Sequence, residues 1–187
     1  MKNIILFASG SGSNVEKIIQ HFKTNPEVNI AAIFSNNSNA KVLERAKKHA
    51  IYSEIIPKPE LESDEFAKKI EALQPDLIVL AGFLLKFPAG IIAKFPNKII
   101  NIHPALLPKY GGKGMYGMHV HQAVLENKEA ESGITIHYVN EHYDEGAFIF
   151  QKEVSLASCS TAEEISNKVL ALEHQFFPKV IEELLGF

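Results

Sequence analysis

Asn101 and His103 stand two residues apart in the run Lys98-Ile99-Ile100-Asn101-Ile102-His103-Pro104. Residues 99–102 read as a short buried strand. Side chains alternate between the faces of a strand, so the amide and the imidazole share one face while Ile100 and Ile102 take the other. Pro104 cannot donate to a ladder and ends the strand at once. Both polar groups therefore sit at a strand's C-terminal end, where ligands bind in open parallel sheets. An amide donor beside a titratable imidazole suits a reaction in which an oxygen gains negative charge while a proton moves. The same pair would also serve as a turn cap and a hydrogen-bonded boundary histidine, so the elements around it must decide.

Three other stretches carry polar chemistry. The turn Ser9-Gly10-Ser11-Gly12-Ser13-Asn14 follows an apolar strand at 4–8 and precedes a helix at 15–22, whose Val15, Ile18, Ile19 and Phe22 share a face. Free N–H groups at a helix N-terminus favour an anion through hydrogen bonds and the helix dipole. The spacing lacks the third glycine of the dinucleotide fingerprint and the Gly-Lys-Ser/Thr end of the Walker loop. A mononucleotide or sugar phosphate stays open, as does a tight turn without a ligand. Gly82-Phe83-Leu84-Leu85-Lys86-Phe87 follows another apolar strand at 76–81, and the acidic loop Asn140-Glu141-His142-Tyr143-Asp144 offers a carboxylate shortly before Gly146.

The elements that must position these groups alternate. Further strands are expected at 29–34 and 52–56, and helices at 40–49, 65–73 (capped by Ser63) and 89–94. A helix at 120–127 follows the four-glycine stretch 111–118. His119 and His121, at i and i+2, do not share a helical face, which argues against a metal pair. Strands at 135–139 and 148–151 are expected to run antiparallel. His137 is expected to face a sheet surface. The final helix, 161–185, carries an apolar stripe of Ile165, Val169, Leu172, Phe176, Val180 and Leu184. Pro178 predicts a kink or break within it, and Glu173 and His174 read as solvated. The pattern is α/β: a doubly wound, mostly parallel sheet with helices on both faces and an antiparallel edge, in one domain over residues 1–187. The ends of three strands, at 9–14, 82–87 and 101–108, are predicted to converge.

Composition narrows the function classes. The net charge of −3 argues against binding nucleic acid by phosphate neutralisation. One cysteine, Cys159, excludes an internal disulfide and suggests a reducing compartment. The N-terminal apolar run is too short for an export signal, and no stretch approaches a membrane span. The expectation is a cytoplasmic, soluble protein with small-molecule partners and no membrane or nucleic-acid partner, as a monomer or a homodimer.

Taken together, Gly12-Ser13-Asn14, Ala81-Gly82-Phe83, the run Asn101-Ile102-His103-Pro104-Ala105-Leu106-Leu107-Pro108 and the late Asp144 resemble the folate-dependent formyltransferases, from residue 4 to about residue 178. The Gly-Ser-Asn turn and Leu172-Glu173-His174 narrow the resemblance to the phosphoribosylglycinamide formyltransferases. That family implies formyl transfer from 10-formyltetrahydrofolate, a co-substrate, to the amine of glycinamide ribonucleotide, with no metal. A formyltetrahydrofolate deformylase is the alternative within the superfamily. It has no phosphorylated acceptor, so the phosphate-binding turn and Glu173 argue against it.

The resemblance assigns catalysis to Asn101, His103 and Asp144. Asp144 is expected to hold His103 and raise its pKa. Gly12, Ser13, Asn14 and Glu173 would bind the ribonucleotide. Leu84, Leu85, Lys86, Phe87, Asn101, Asn140, Glu141, His142, Tyr143 and Asp144 would bind the folate. Leu85 and Asp64 stand where relatives often carry arginine, Ala105 replaces a serine, and the glycine-rich stretch 111–118 is longer than the turn many relatives have.

Overall fold

The computed structural model describes residues 1–187. Its strands are β1 (Lys2–Phe7), β2 (Val28–Ser35), β3 (Ser53–Ile55), β4 (Leu77–Leu80), β5 (Ile99–His103), β6 (Glu131–Tyr138) and β7 (Phe148–Ser155). They form one sheet in the order β3-β2-β1-β4-β5-β6-β7. The pairings from β3 to β5 are parallel, and β6 and β7 add an antiparallel edge. The helices are α1 (Ser13–Phe22), α2 (Val42–Lys48), α3 (Lys58–Leu61), α4 (Asp64–Ala72), α5 (Ala89–Lys94), α6 (Met118–Glu126) and α7 (Ala162–Leu185).

The central strands are apolar on both faces because both faces are covered. Ile4, Leu6, Val79, Ile100 and Ile102 pack under α1, α2, α6 and α7, against Ile18, Phe22, Val124, Val169 and Phe177. Ile5, Phe7, Ile78, Leu80 and Ile99 pack on the other side under α3 to α5, with Leu61, Phe66, Ile70 and Ile91. Phe7 anchors that second layer, its ring 5.2 Å from Phe34, 5.3 Å from Phe83 and 5.1 Å from Phe87. The Phe83 and Phe87 contacts hold the segment after β4 against the sheet, close to where the site forms.

The helix ends follow their sequence signals. Ser63 accepts a hydrogen bond from the Phe66 N–H at 3.1 Å. Thr161 and Glu164 close a capping box at the start of α7. Three features differ from the sequence pattern. The short helix α3 begins immediately after Pro57, with Pro59 in its first turn, where a proline favours the helical φ. Helix α7 runs unbroken through Pro178. The proline loses its own hydrogen bond and crowds the carbonyl four residues earlier, but Phe177, Pro178, Val180 and Ile181 are all buried, so core packing holds the helix together. The buried stripe of α7 is also rotated from the expected one. Glu173, Phe177 and Leu185 lie on it, while Leu172, Phe176 and Leu184 are half-buried.

Candidate active site

The three strand ends converge as expected. A cavity of about 620 Å³ is lined by Gly10 to Asn14 after β1, Leu80 to Phe87 around the end of β4, and Asn101 to Pro104 from β5. Its size falls in the range usual for small-molecule sites. The loop after β6 adds Asn140, His142, Tyr143 and Asp144, and α7 adds Ser166, Leu170 and Glu173. Glu141 belongs to that loop but is exposed and outside the lining.

Register explains the polar cluster. In the antiparallel pairing of β5 with β6, His137 lies opposite Asn101 and Thr135 opposite His103. Directly paired residues share a face, so all four side chains lie together. This overturns the expectation for His137, which is 2% exposed and lines the cavity. Its Nδ1–H donates to the Tyr138 carbonyl at 2.8 Å, leaving the Nε2 lone pair to accept from Asn101 Nδ2 at 3.1 Å. One hydrogen of the Asn101 amide is thereby fixed, and the second is free.

His103 is 3% exposed. Its Nε2–H donates to the Tyr110 carbonyl at 2.7 Å, so the neutral ring carries its lone pair on Nδ1, 3.5 Å from Asp144 Oδ2. Burial pushes the His103 pKa down more strongly than Asp144 and Tyr110 push it up, and the nearby His137 also lowers it. The raised pKa expected from Asp144 alone is therefore corrected to a lowered one. Burial pushes Asp144 up in turn. The charge His103 carries when protonated and the Gly112 N–H outweigh that and hold the carboxyl below its usual range, while His137 Nε2, its lone pair given to Asn101, stands 3.5 Å from Oδ1. The pair is a neutral imidazole beside a carboxylate.

Asp144 does not grip His103 closely. Its tightest bond is accepted from the Gly112 N–H at 2.9 Å, which ties the acidic loop to the glycine-rich stretch before α6. Asp144 and Tyr110 both have left-handed backbone, at φ 57° each. Thr135 pins the intervening segment by donating to the Ala105 carbonyl at 2.7 Å and accepting from the Leu107 N–H at 3.0 Å. Ala105 is fully buried, so no hydroxyl at that position would face the cavity.

At the other end of the cavity, Gly12 caps α1 with φ 68°, and no side chain occupies the helix's free N–H groups. A Cβ at Gly12 would stand 2.6 Å from Val42 Cγ2, so the close approach of α2 as well as the φ calls for glycine. Arg45, the chain's one arginine, donates to the Ser11 carbonyl at 2.8 Å and pairs with Glu16 at 3.3 Å, bracing the turn from outside. Glu173 is buried rather than solvated as expected, and its Oε2 accepts from Asn14 Nδ2 at 2.6 Å. Burial raises its pKa against the opposing pull of Asn14. The missed signal was spacing: Glu173 lies four residues from both Val169 and Phe177, on the face that turns inward.

The remaining wall is exposed and apolar. Leu84 and Tyr143, on opposite loops, are 49% and 39% exposed at the rim, which suits a flat aromatic ligand. The Leu84 N–H donates to Ser9 Oγ at 2.9 Å, joining the ends of β1 and β4. No group of three His, Cys, Asp or Glu side chains converges as metal ligands would. His103 and His137 each already commit one nitrogen to a backbone carbonyl.

Comparison with known proteins places the chain in a family. A family described as formyl transferase matches residues 2–181. The chain is 37% identical to the chloroplastic phosphoribosylglycinamide formyltransferase of Arabidopsis thaliana, over 96% of this chain and 64% of that protein, just under two thirds of its length. It is 34% identical to the phosphoribosylglycinamide formyltransferase of Bacillus subtilis, over 100% of this chain and 96% of the relative. Among solved structures, glycinamide ribonucleotide transformylase 1 from Geobacillus kaustophilus superposes with a TM-score of 0.89 at 30% identity, covering 100% of both chains. A fold shared along the whole length, together with the family match over nearly all of it, establishes that the chain belongs to the formyl transferase family.

Proposed function

We propose that the protein transfers the formyl group of 10-formyltetrahydrofolate to the amine of glycinamide ribonucleotide, giving formylglycinamide ribonucleotide and tetrahydrofolate, a step of de novo purine biosynthesis. One observation carries the reading: the open N-terminus of α1 and the buried Asn14–Glu173 pair share a cavity with Asn101, His103 and Asp144. Gly12, Ser13 and Asn14 hold the phosphate through backbone N–H groups. Glu173 takes the ribose hydroxyls. The formyl donor lies between the segment Leu84 to Phe87 and the loop Asn140 to Asp144.

The amine nitrogen attacks the formyl carbon and its lone pair forms the new C–N bond, while the carbonyl electrons move to oxygen. The free hydrogen of the Asn101 amide donates to that oxyanion, a contact worth about a hundred- to a thousandfold in rate. His103, neutral with its lone pair on Nδ1, takes the proton from the attacking amine. Asp144 stabilises the imidazolium formed. The proton then passes to the folate nitrogen as its bond to the formyl carbon breaks, and the oxyanion collapses to the product amide. Proton transfer of this kind contributes about a hundred- to ten-thousandfold. His137 keeps Asn101 aimed. One formyltransferase domain over residues 1–187, acting in the cytoplasm as a monomer or homodimer on small molecules, completes the proposal.

The test is formyl transfer with and without the ribonucleotide, for wild type and His103→Ala together. Transfer that needs the ribonucleotide and collapses in the variant is expected. Folate deformylation without the ribonucleotide would move the assignment to a hydrolase. Wild-type turnover that persists in His103→Ala would remove His103 from the mechanism.

A further inference from the structure

Helix α6 brings another imidazole to the cavity, and the scheme above leaves it unused. His121, in the first turn of α6, is 4% exposed and lines the cavity. Its Nδ1 is sealed from solvent without a hydrogen-bond partner. An orphaned buried N–H is rarer in proteins than an orphaned acceptor, so the ring hydrogen belongs on Nε2, the nitrogen left open. Burial, with His103 nearby, pushes the pKa down to about 4, so the ring carries a single N–H at neutral pH.

The cavity is short of such donors. Asn101 gives one hydrogen to His137, and His103 gives its Nε2–H to Tyr110. Helix α6 packs along α7, whose Ser166, Leu170 and Glu173 continue the same wall, and Glu173 is joined to the phosphate turn through Asn14. His121 thus lies near His103, on a helix packed against the one that carries Glu173.

We propose that His121 is a substrate-contacting residue whose Nε2–H donates to the amide carbonyl oxygen of the glycinamide arm. This contact rests on the function proposed above. The arm offers one oxygen acceptor between the ribose and the attacking amine. Holding that oxygen fixes the direction in which the amine nitrogen meets the formyl carbon. It also gives a physical reason for keeping a polar ring buried where a phenylalanine would pack without an orphaned nitrogen.

The experiment compares wild type, His121→Phe and His121→Gln, whose amide N–H reaches about as far as Nε2. Loss of one neutral hydrogen bond lowers kcat/KM for the ribonucleotide about three- to tenfold in His121→Phe, with KM for the folate unchanged. His121→Gln is expected within about twofold of wild type. Equal loss in both variants accompanied by a fall in Tm, or no loss in either, would overturn the contact. Should His121→Phe fail to fold, nitrogen NMR of wild-type histidines decides it. The His121 resonances are expected to show the Nε2–H form and to shift with ribonucleotide alone but not with folate alone; an unmoved signal would refute it. Because that readout needs no turnover, it stands apart from a failure of wild-type transfer, which would refute the proposed function instead.

Discussion

Replacing His137 by phenylalanine isolates the hydrogen bond that aims Asn101. The ring is 2% exposed, and phenylalanine fills similar volume, so no cavity of consequence opens. Two partners are lost: the Tyr138 carbonyl at 2.8 Å and the Asn101 amide at 3.1 Å. The amide is then free to rotate and present its oxygen to the oxyanion, which repels rather than stabilises it. Loss of one neutral hydrogen bond sets a floor of a few-fold in rate. The ceiling is complete loss of the Asn101 contribution, about a hundred- to a thousandfold. A kcat between about ten- and a hundredfold below wild type is expected, or roughly 1.4 to 2.7 kcal/mol of activation free energy. The assay is a double-mutant cycle with Asn101→Ala. Once Asn101 is gone, His137→Phe has nothing left to misaim, so the double variant is expected to match Asn101→Ala alone. Losses that multiply would refute the reasoning. Multiplication with Asn101→Ala but not with Asp144→Asn would show that His137 acts through the carboxylate 3.5 Å away.

Glu173→Ala is expected to raise KM for the ribonucleotide about three- to tenfold or more with little change in kcat, in initial-rate measurements, since a buried hydrogen-bonding group far from the reacting atoms is removed. The pH profile follows from His103. Its folded-state pKa lies below the ordinary 6.5, and the active form is the neutral ring, so kcat/KM is expected to stay flat down to about pH 6.5 and to fall only below it. An acid limb centred above pH 6.5 would contradict this. His121 adds a stability effect of the same sign. With its pKa lowered from 6.5 to about 4, its contribution is complete above pH 6.5 and lost as the pH falls towards 4. Thermal melts of His121→Phe should therefore lose less stability than wild type across that window. Gly133→Ala would drive a Cβ into the Lys152 carbonyl oxygen on β7, so a loss of about 2 kcal/mol or more and a Tm lower by roughly 5 °C are expected by calorimetry.

The reacting strand was legible because its signal is local. Alternation and a terminating proline put Asn101 and His103 on one face of β5, and the structure places them there. His137 was not legible, because its place depends on the register between β5 and β6. That register is fixed by an antiparallel pairing across more than thirty residues, and a one-residue slip would turn the ring to the opposite face. Glu173 was hidden differently: a glutamate on a long helix is usually solvated, and only the packing of α7 against α1 shows that Asn14 waits for it. The sign of the His103 shift needed burial as well as charge. The sequence names Asp144 as a neighbour but says nothing of how deeply the ring is enclosed. Pro178 shows the same limit from the side of stability, with core contacts overriding a local preference.

The bond from the Gly112 N–H to Asp144 makes admission and reactivity a single variable. Three glycines with positive φ, at 112, 114 and 117, shape that stretch at the mouth of the cavity. Any displacement that widens the mouth draws the amide away from the carboxylate, and with it the group that steadies the imidazolium. The formyl donor is then least reactive when water has freest access to it. On the function proposed above, protection of the donor from hydrolysis would reside in the same contact that steadies the transfer.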